Sequence, residues 1–224
     1  MTPLLDLFCG FGLAADGWKA AGFEPVGIDI EPQPDYPYEF HKADALEVLR
    51  YWDLRDFAVI TGSPPCQEHT RARHLRSAQG GESRYPDLLT PTLALLRLLQ
   101  GGRWVIENVP GAPGMEDAVT VCGSSFGLHV QRHRLFLADR RTTIVGSTCD
   151  HSTFPPDPIT GKPRPWGVYH VPGDSIPKGG RTCRDPAHAA ECMGVTRGLP
   201  WRGLKEGYPP AYSEFIGRQI MEQI

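Results

Sequence analysis

The sequence has no run of about 18 apolar residues, so nothing in it predicts a membrane span. Its opening, Met1-Thr2-Pro3-Leu4-Leu5-Asp6, lacks a basic n-region and brings in an acid early, which argues against a secretory signal and predicts a cytoplasmic protein. Six cysteines spread over 224 residues are too sparse for a disulfide scaffold and read as free thiols. There is no internal repeat and no low-complexity tract. What is present, 40% hydrophobic and 22% charged residues, is the composition of an ordinary globular protein. A chain of this length can bury one good core with a small subdomain attached.

The formal net charge of −3 excludes little until it is divided along the chain. Residues 1–138 hold 12 Lys and Arg against 17 Asp and Glu, residues 139–205 hold 10 against 6, and residues 206–224 hold 1 against 3. A basic middle stretch between acidic ends is what a phosphate-contacting surface produces, although a solvated loop with a chance excess gives the same count.

Up to about residue 138, short apolar runs alternate with helical patterns, which predicts an α/β sheet. Leu4–Phe8, Pro25–Ile30, Ala58–Gly62, Arg103–Glu107 and Leu135–Leu137 read as strands; Ala14–Ala21 and Leu88–Leu99 read as helices. From about 139 to 200 periodicity is lost. Seven prolines between Thr153 and Pro177 predict irregular structure, since neither a helix nor a central strand absorbs that density. Ala211–Ile224 is helical again. The division expected is a catalytic and cofactor-binding domain over 1–138, a small target-recognition segment over 139–205, and a C-terminal helix over 206–224 that returns to the first domain.

Four constellations carry chemistry. Asp6-Leu7-Phe8-Cys9-Gly10-Phe11-Gly12 follows the first strand, and Asp29 ends the second. Glycines there let a ligand approach backbone closely, and the acid can take ribose hydroxyls, but a plain chain reversal looks the same and the third glycine of a dinucleotide fingerprint is missing. Ser63-Pro64-Pro65-Cys66-Gln67 presents a thiol on a stiff turn at a strand end, where a buried structural cysteine is the bland alternative. Glu107-Asn108-Val109-Pro110 puts a carboxylate at another strand end, a proton donor if its pKa is raised and a solvated acid if not. Gln131-Arg132-His133-Arg134 precedes an apolar run, and strand alternation predicts that Arg132 and Arg134 project from one face.

In this order, the four resemble the cytosine-5 DNA methyltransferase family, in particular the compact methylases of bacteriophages and prophages, some of them partners in restriction-modification. The likeness covers residues 4–137 and resumes near Tyr208–Gln219. It implies a doubly wound, mostly parallel sheet of the class I S-adenosylmethionine-dependent methyltransferase type with a small irregular recognition segment. By this resemblance Cys66 is the nucleophile that attacks carbon 6 of a cytosine flipped out of double-stranded DNA, and Glu107 protonates ring nitrogen 3. Arg132 and Arg134 are the active-site arginines. Phe8, Gly10, Gly12, Leu13, Asp29, Ile30, Asp44, Ala45 and Pro64, with Ala211 and Tyr212 from the C-terminal helix, line the S-adenosyl-L-methionine pocket.

The sequence departs from the family in three places. Gln131 directly precedes the first arginine, Pro209-Pro210-Ala211 replaces a Gly-Asn-Ser, and the stretch between Phe136 and Tyr208 is short for target recognition. Phosphate contacts are expected from Arg140, Arg141, Lys162, Arg164, Lys178, Arg181 and Arg184, on a monomer. An RNA cytosine-5 methyltransferase and a non-catalytic DNA-binding decoy or regulatory protein are the alternatives. Cys149, His151, Cys183, His188 and Cys192 also fall in the loop-rich stretch, where a zinc ion can replace a missing core, but their spacing matches no standard zinc signature and no metal is assigned.

Overall fold

The structure is a computed structural model and describes residues 2–65, 86–99, 101–151, 169–171 and 181–224, with His170 and Arg181 described by their backbone alone. Seven strands form one sheet: β1 (Thr2–Leu7), β2 (Phe23–Asp29), β3 (Glu39–Lys42), β4 (Val59–Gly62), β5 (Arg103–Asn108), β6 (Val119–Val121) and β7 (Arg134–Ala138). Their spatial order is β3-β2-β1-β4-β5-β7-β6. β1 to β5 run parallel, while β7 is antiparallel to both β5 and β6. The chain winds outward from β1 through β2 to β3, then crosses back to lay β4 and β5 on the other side of β1. The carboxyl ends of β1 and β4 therefore flank a topological switch point, the crevice where open α/β sheets take their ligands.

Strand alternation sorts the apolar pairs to two faces. Leu5, Ile60 and Ile106 face α2 (Ala45–Tyr51) and α3 (Leu89–Leu98), while Leu4, Val59 and Val105 face α1 (Leu13–Ala20) and the C-terminal helix α6 (Pro210–Met221). Covering on both faces explains the unbroken Leu-Leu, Val-Ile and Val-Ile runs. Trp18, Phe23, Tyr212 and Ile216 are sealed between α1, α6 and the sheet, each contributing about 1.5–3 kcal/mol from apolar burial. The two helices approach so closely that a Cβ at Gly17 would stand 2.0 Å from the Pro210 carbonyl oxygen, and one at Gly217 would stand 2.7 Å from Ala21 Cβ.

Residues 181–206 are more ordered than their composition predicts. They form a short strand β9 (Arg181–Thr182), parallel to β8 (Tyr169–His170), and two helices, α4 (Pro186–Cys192) and α5 (Trp201–Glu206). α4 starts with an N-cap and a helical proline: Asp185 accepts from the His188 amide at 2.8 Å, and Pro186 follows it. At seven and six residues both helices are too short to show a period. Cys192, Met193, Leu199 and Leu204 share a core with Leu13 and Val130, so this stretch is packed onto the sheet domain. No described helix is long and apolar enough to cross a membrane.

Candidate active site

The loop after β1 turns through three left-handed residues, Phe8 (φ 56°), Gly10 (φ 47°) and Gly12 (φ 78°). Asp29, at the end of β2, holds it: one carboxylate oxygen accepts from the Gly10 amide at 3.0 Å and the other from the Glu31 amide at 2.9 Å. A carboxylate has about four acceptor positions, so among the described residues two remain for hydroxyl groups of a ligand. Beside it Ile30 is 64% exposed, an apolar side chain left open at the carboxyl edge. Asp44 caps α2, accepting from the Leu46 and Glu47 amides at 2.7 and 3.3 Å. A Cβ at Gly10 would meet nothing within 4 Å, so space lies over the loop there. Gly12 differs: its Cβ would run into Pro37 and Tyr36 at 2.8 and 2.9 Å.

Phe8, Gly10, Asp29, Ile30 and Asp44 are half-buried or exposed, whereas Gly12, Leu13, Ala45 and Pro64 are buried. Ala211 is half-buried in the first turn of α6. Tyr212, next to it, is fully buried: its ring packs against Tyr208 and Phe126, and its hydroxyl donates to the carbonyls of Gln131 and Arg132 at 3.0 and 3.1 Å. It supports the arginine turn from below.

At the ends of β4 and β5, Asn108 donates from its side-chain amide to the Pro64 carbonyl at 3.0 Å, and its own oxygen accepts from the Val109 amide at 2.9 Å. This fixes the Ser-Pro-Pro turn against the Glu-Asn strand end. Cys66 lies outside the described residues, two positions beyond Pro64. Glu107 is buried and paired with Arg134, Oε1 to Nε at 3.1 Å. Burial raises its pKa, against the Arg134 charge, a hydrogen bond with Ser63 and the Arg132 charge, all of which lower it. Ser63 also hydrogen-bonds the buried Tyr208, so β4, β5, β7 and the entry to α6 meet in one polar network.

The two arginines do not project together from a strand. Arg132 precedes β7 and takes a left-handed conformation, φ 38°. Its guanidinium donates to the carbonyls of Leu204 at 3.2 Å, Lys205 at 2.5 Å and Gly207 at 2.6 Å, closing the carboxyl end of α5, where a cation suits the exposed carbonyl dipoles. Arg134 alone is ion-paired to Glu107.

The expected phosphate contacts also separate. Arg140 and Arg141 follow β7, which runs antiparallel to β5, so they lie beside the start of β5: Arg103 donates to the Arg141 carbonyl at 2.7 Å. That is the amino edge of the sheet, a strand length of roughly 15 Å from Glu107–Asn108. Arg184 is exposed ahead of α4. Lys162, Arg164 and Lys178 lie outside the described residues, as does the side chain of Arg181.

Sequence reasoning missed several residues. Ser63 and Asn108 stand inside recognised motifs, where the signal was present but no role was attached. Arg197 had no signal: its guanidinium donates to Asp16 at 2.9 Å, to the Asp35 carbonyl at 3.2 Å and to the Phe11 carbonyl, pinning the later stretch to the glycine loop. Asp6, fully buried, was read only as part of the loop motif. Burial, with Asp29 and Asp16 nearby, pushes its carboxyl up to about 7, against the Tyr36 hydroxyl that donates to it at 3.3 Å.

A family model described as C-5 cytosine-specific DNA methylase matches residues 3–122. Among curated proteins, the type II methyltransferase M.AgeI of Thalassovita gelatinovora is 23% identical over 194 residues, covering 70% of this chain and 43% of its own length. The chain thus spans less than half of that relative. Among solved structures, one assigned to a DNA modification methyltransferase encoded within an E. coli prophage aligns with a TM-score of 0.63 at 14% identity, over 100% of this chain and 99% of that one. The S. pombe Dnmt2 methyltransferase aligns with a TM-score of 0.60 at 14% identity, over 99% of both chains. At these identities the likeness establishes the fold, a mostly parallel methyltransferase sheet.

Proposed function

This chain belongs to the C-5 cytosine-specific DNA methylase family, and we propose that it methylates carbon 5 of a cytosine flipped out of double-stranded DNA, through a covalent adduct with Cys66. The observation that carries the reading is the buried Glu107–Arg134 pair joined to the Ser63-Pro64 turn through Ser63 and Asn108. It sets an acid whose pKa burial raises beside the turn that leads to the cysteine.

Phe8, Gly10, Asp29, Ile30 and Asp44 suit S-adenosyl-L-methionine: Asp29 keeps acceptor positions for ribose hydroxyls, Ile30 offers an apolar surface to a base, and the backbone over Gly10 is open. When bound, that group supplies an electrophilic methyl carbon. The chain's own residues make the acceptor. The Cys66 thiolate forms a bond to carbon 6, breaking the ring's aromaticity and making carbon 5 enamine-like. Once carbon 5 carries the methyl group, its proton leaves to a base or water and the carbon 6–sulfur bond breaks, returning the thiolate and the aromatic ring. Glu107 gives its proton to ring nitrogen 3, which requires the carboxyl to be protonated, the state that its burial favours. Arg134 orients that carboxyl and offsets charge developing at the ring oxygen. Arg132 acts one step back, fixing the turn that carries Arg134 against the end of α5. Residues 139–205 serve as the reduced target-recognition segment, with 206–224 returning to the catalytic domain.

The test is transfer of labelled methyl groups to mixed-sequence duplex DNA and, separately, to RNA, with single-base mapping. Label at carbon 5 of DNA cytosines, a covalent complex with DNA carrying 5-fluorocytosine, and loss of both in Cys66→Ala with cofactor binding retained are expected. Turnover retained in Cys66→Ala ends the mechanism; label in RNA alone makes the protein an RNA cytosine-5 methyltransferase.

A further inference from the structure

We propose that Cys122, His133, Cys149 and His151 form a structural zinc site. The four come from three separate segments. Cys122 directly follows β6, His133 directly precedes β7, and Cys149 and His151 lie beyond β7. Their ligand atoms all stand within 4.8 Å of one another. Cys122 Sγ is 3.4 Å from His151 Nε2, and Cys149 Sγ is 3.5 Å from His133 Nε2. Tetrahedral zinc holds sulfur at about 2.3 Å and imidazole nitrogen at about 2.0–2.1 Å, which sets neighbouring S and N ligands roughly 3.5–3.6 Å apart. The two sulfur–nitrogen pairs stand at about that spacing, and two thiols with two imidazoles make a Cys2His2 donor set, which favours zinc over the hard, oxygen-seeking cations.

The backbone around the cluster is tied down independently of any ion. The Cys122 amide donates to Ser147 Oγ at 3.0 Å, and the Ser125 hydroxyl donates to the Thr148 carbonyl at 2.8 Å. These bonds bring Cys149 and His151 back onto the turn that follows β6. A metal here would lock the start of the 139–205 stretch to the sheet edge. It would also fix His133, which lies between Arg132 and Arg134, and so hold the arginine turn from its outer side. Arg134 already donates to the His133 carbonyl at 2.9 Å. The spacing from Cys122 to His133 to Cys149 to His151 matches no standard signature, because the ligands are gathered by the sheet's edge pairing rather than by one local loop.

Cys183, His188 and Cys192 form a separate buried cluster with three ligand atoms among the described residues. The test therefore resolves the sites from each other. In the full chain, peptide-mapped alkylation should find Cys149, exposed in the structure, at least tenfold slower with zinc bound than after chelation. Zinc content by mass spectrometry should fall by one equivalent per chain in Cys149→Ser and in His151→Asn relative to the unsubstituted protein. Equal alkylation of Cys149 with and without chelator, unchanged zinc content in both variants, or a Cys122–Cys149 disulfide peptide would each overturn the proposal. The alkylation measurement uses the unsubstituted chain, so it decides the matter even if a variant fails to fold.

Discussion

The sheet and the stretch from 181 to 207 hold their backbones in different ways. In the sheet, Asp29, Ser63 and Glu107 stand at or just past strand ends, set by ladders of backbone hydrogen bonds and by apolar packing on both faces. In the later stretch long side chains take over much of that work: Arg197 reaches to the glycine loop, and Arg132 reaches from the sheet to the end of α5. A ladder spreads the load over many residues, so one side chain there can be given over to chemistry. A tether concentrates it, so losing one arginine moves a whole segment. Asp6 and Glu107, near strand ends, are then free to hold raised pKa values, while Arg132 and Arg197 are committed to position.

The largest effect expected on the sheet side concerns Asp6. Its ordinary value is 3.8, and in the folded protein it rises to about 7. Between those values the native state keeps a proton that the unfolded chain has released, so stability falls as pH rises through the window and levels off above it. At about 1.4 kcal/mol for each tenfold in proton affinity, the loss is on the order of 4 kcal/mol. Asp6→Asn mimics the protonated acid and removes this loss. Denaturant unfolding of both proteins from pH 4 to pH 8 should show the variant gaining on the unsubstituted chain as pH rises; parallel profiles would mean that Asp6 is ionised in the fold.

Next comes Glu107→Gln, expected to slow the chemical step by a factor of about 10² or more, the usual range for a general acid–base group. DNA affinity should change far less. Because the protonated acid is the active form, the alkaline fall in rate that it causes should vanish in the variant. If DNA binding drops while single-turnover chemistry does not, Glu107 is a structural partner of Arg134 and nothing more.

Much of the sheet half was legible because its signals are local and periodic: Leu4-Leu5, Val59-Ile60 and Val105-Ile106 each mark a doubly covered strand, and motif residues follow directly. Ile30 was placed in strand β2 but lies just past it, exposed, a boundary error of one residue. β3, α2 and β6 are too short to show a period in the sequence. The later stretch hid its order because Asp185-Pro186 starts a helix of only seven residues and because Arg132 and Arg197 act at separations that no local pattern records. Strand alternation misplaced Arg132 for a related reason: φ 38° takes it out of the strand before alternation applies. The cysteines and histidines of the basic stretch are neighbours in sequence, whereas folding divides them between two clusters and draws in Cys122 and His133 from the ends of β6 and β7.

The smallest expected effect, none at all from replacing Arg140 and Arg141, tests where DNA lies between the two regions. Arg140 and Arg141 stand at the amino edge of the sheet, beside Arg103 and away from Glu107. Arg184 is exposed ahead of α4, in the stretch that packs over the glycine loop. Each phosphate neutralised on binding duplex DNA adds about 0.9 to the slope of log affinity against log salt. Replacing Arg164, Lys178, Arg181 and Arg184 by Gln should therefore flatten that slope by up to roughly 3–4 and weaken binding across sequences, with cofactor affinity unchanged. Replacing Arg140 and Arg141 should leave the slope as it was, because a duplex engaged at the carboxyl edge does not reach the opposite one. A flatter slope from the Arg140/Arg141 pair would move the DNA around the β7 edge, and an unchanged slope from the other four would deny the 139–205 stretch its part in holding phosphates.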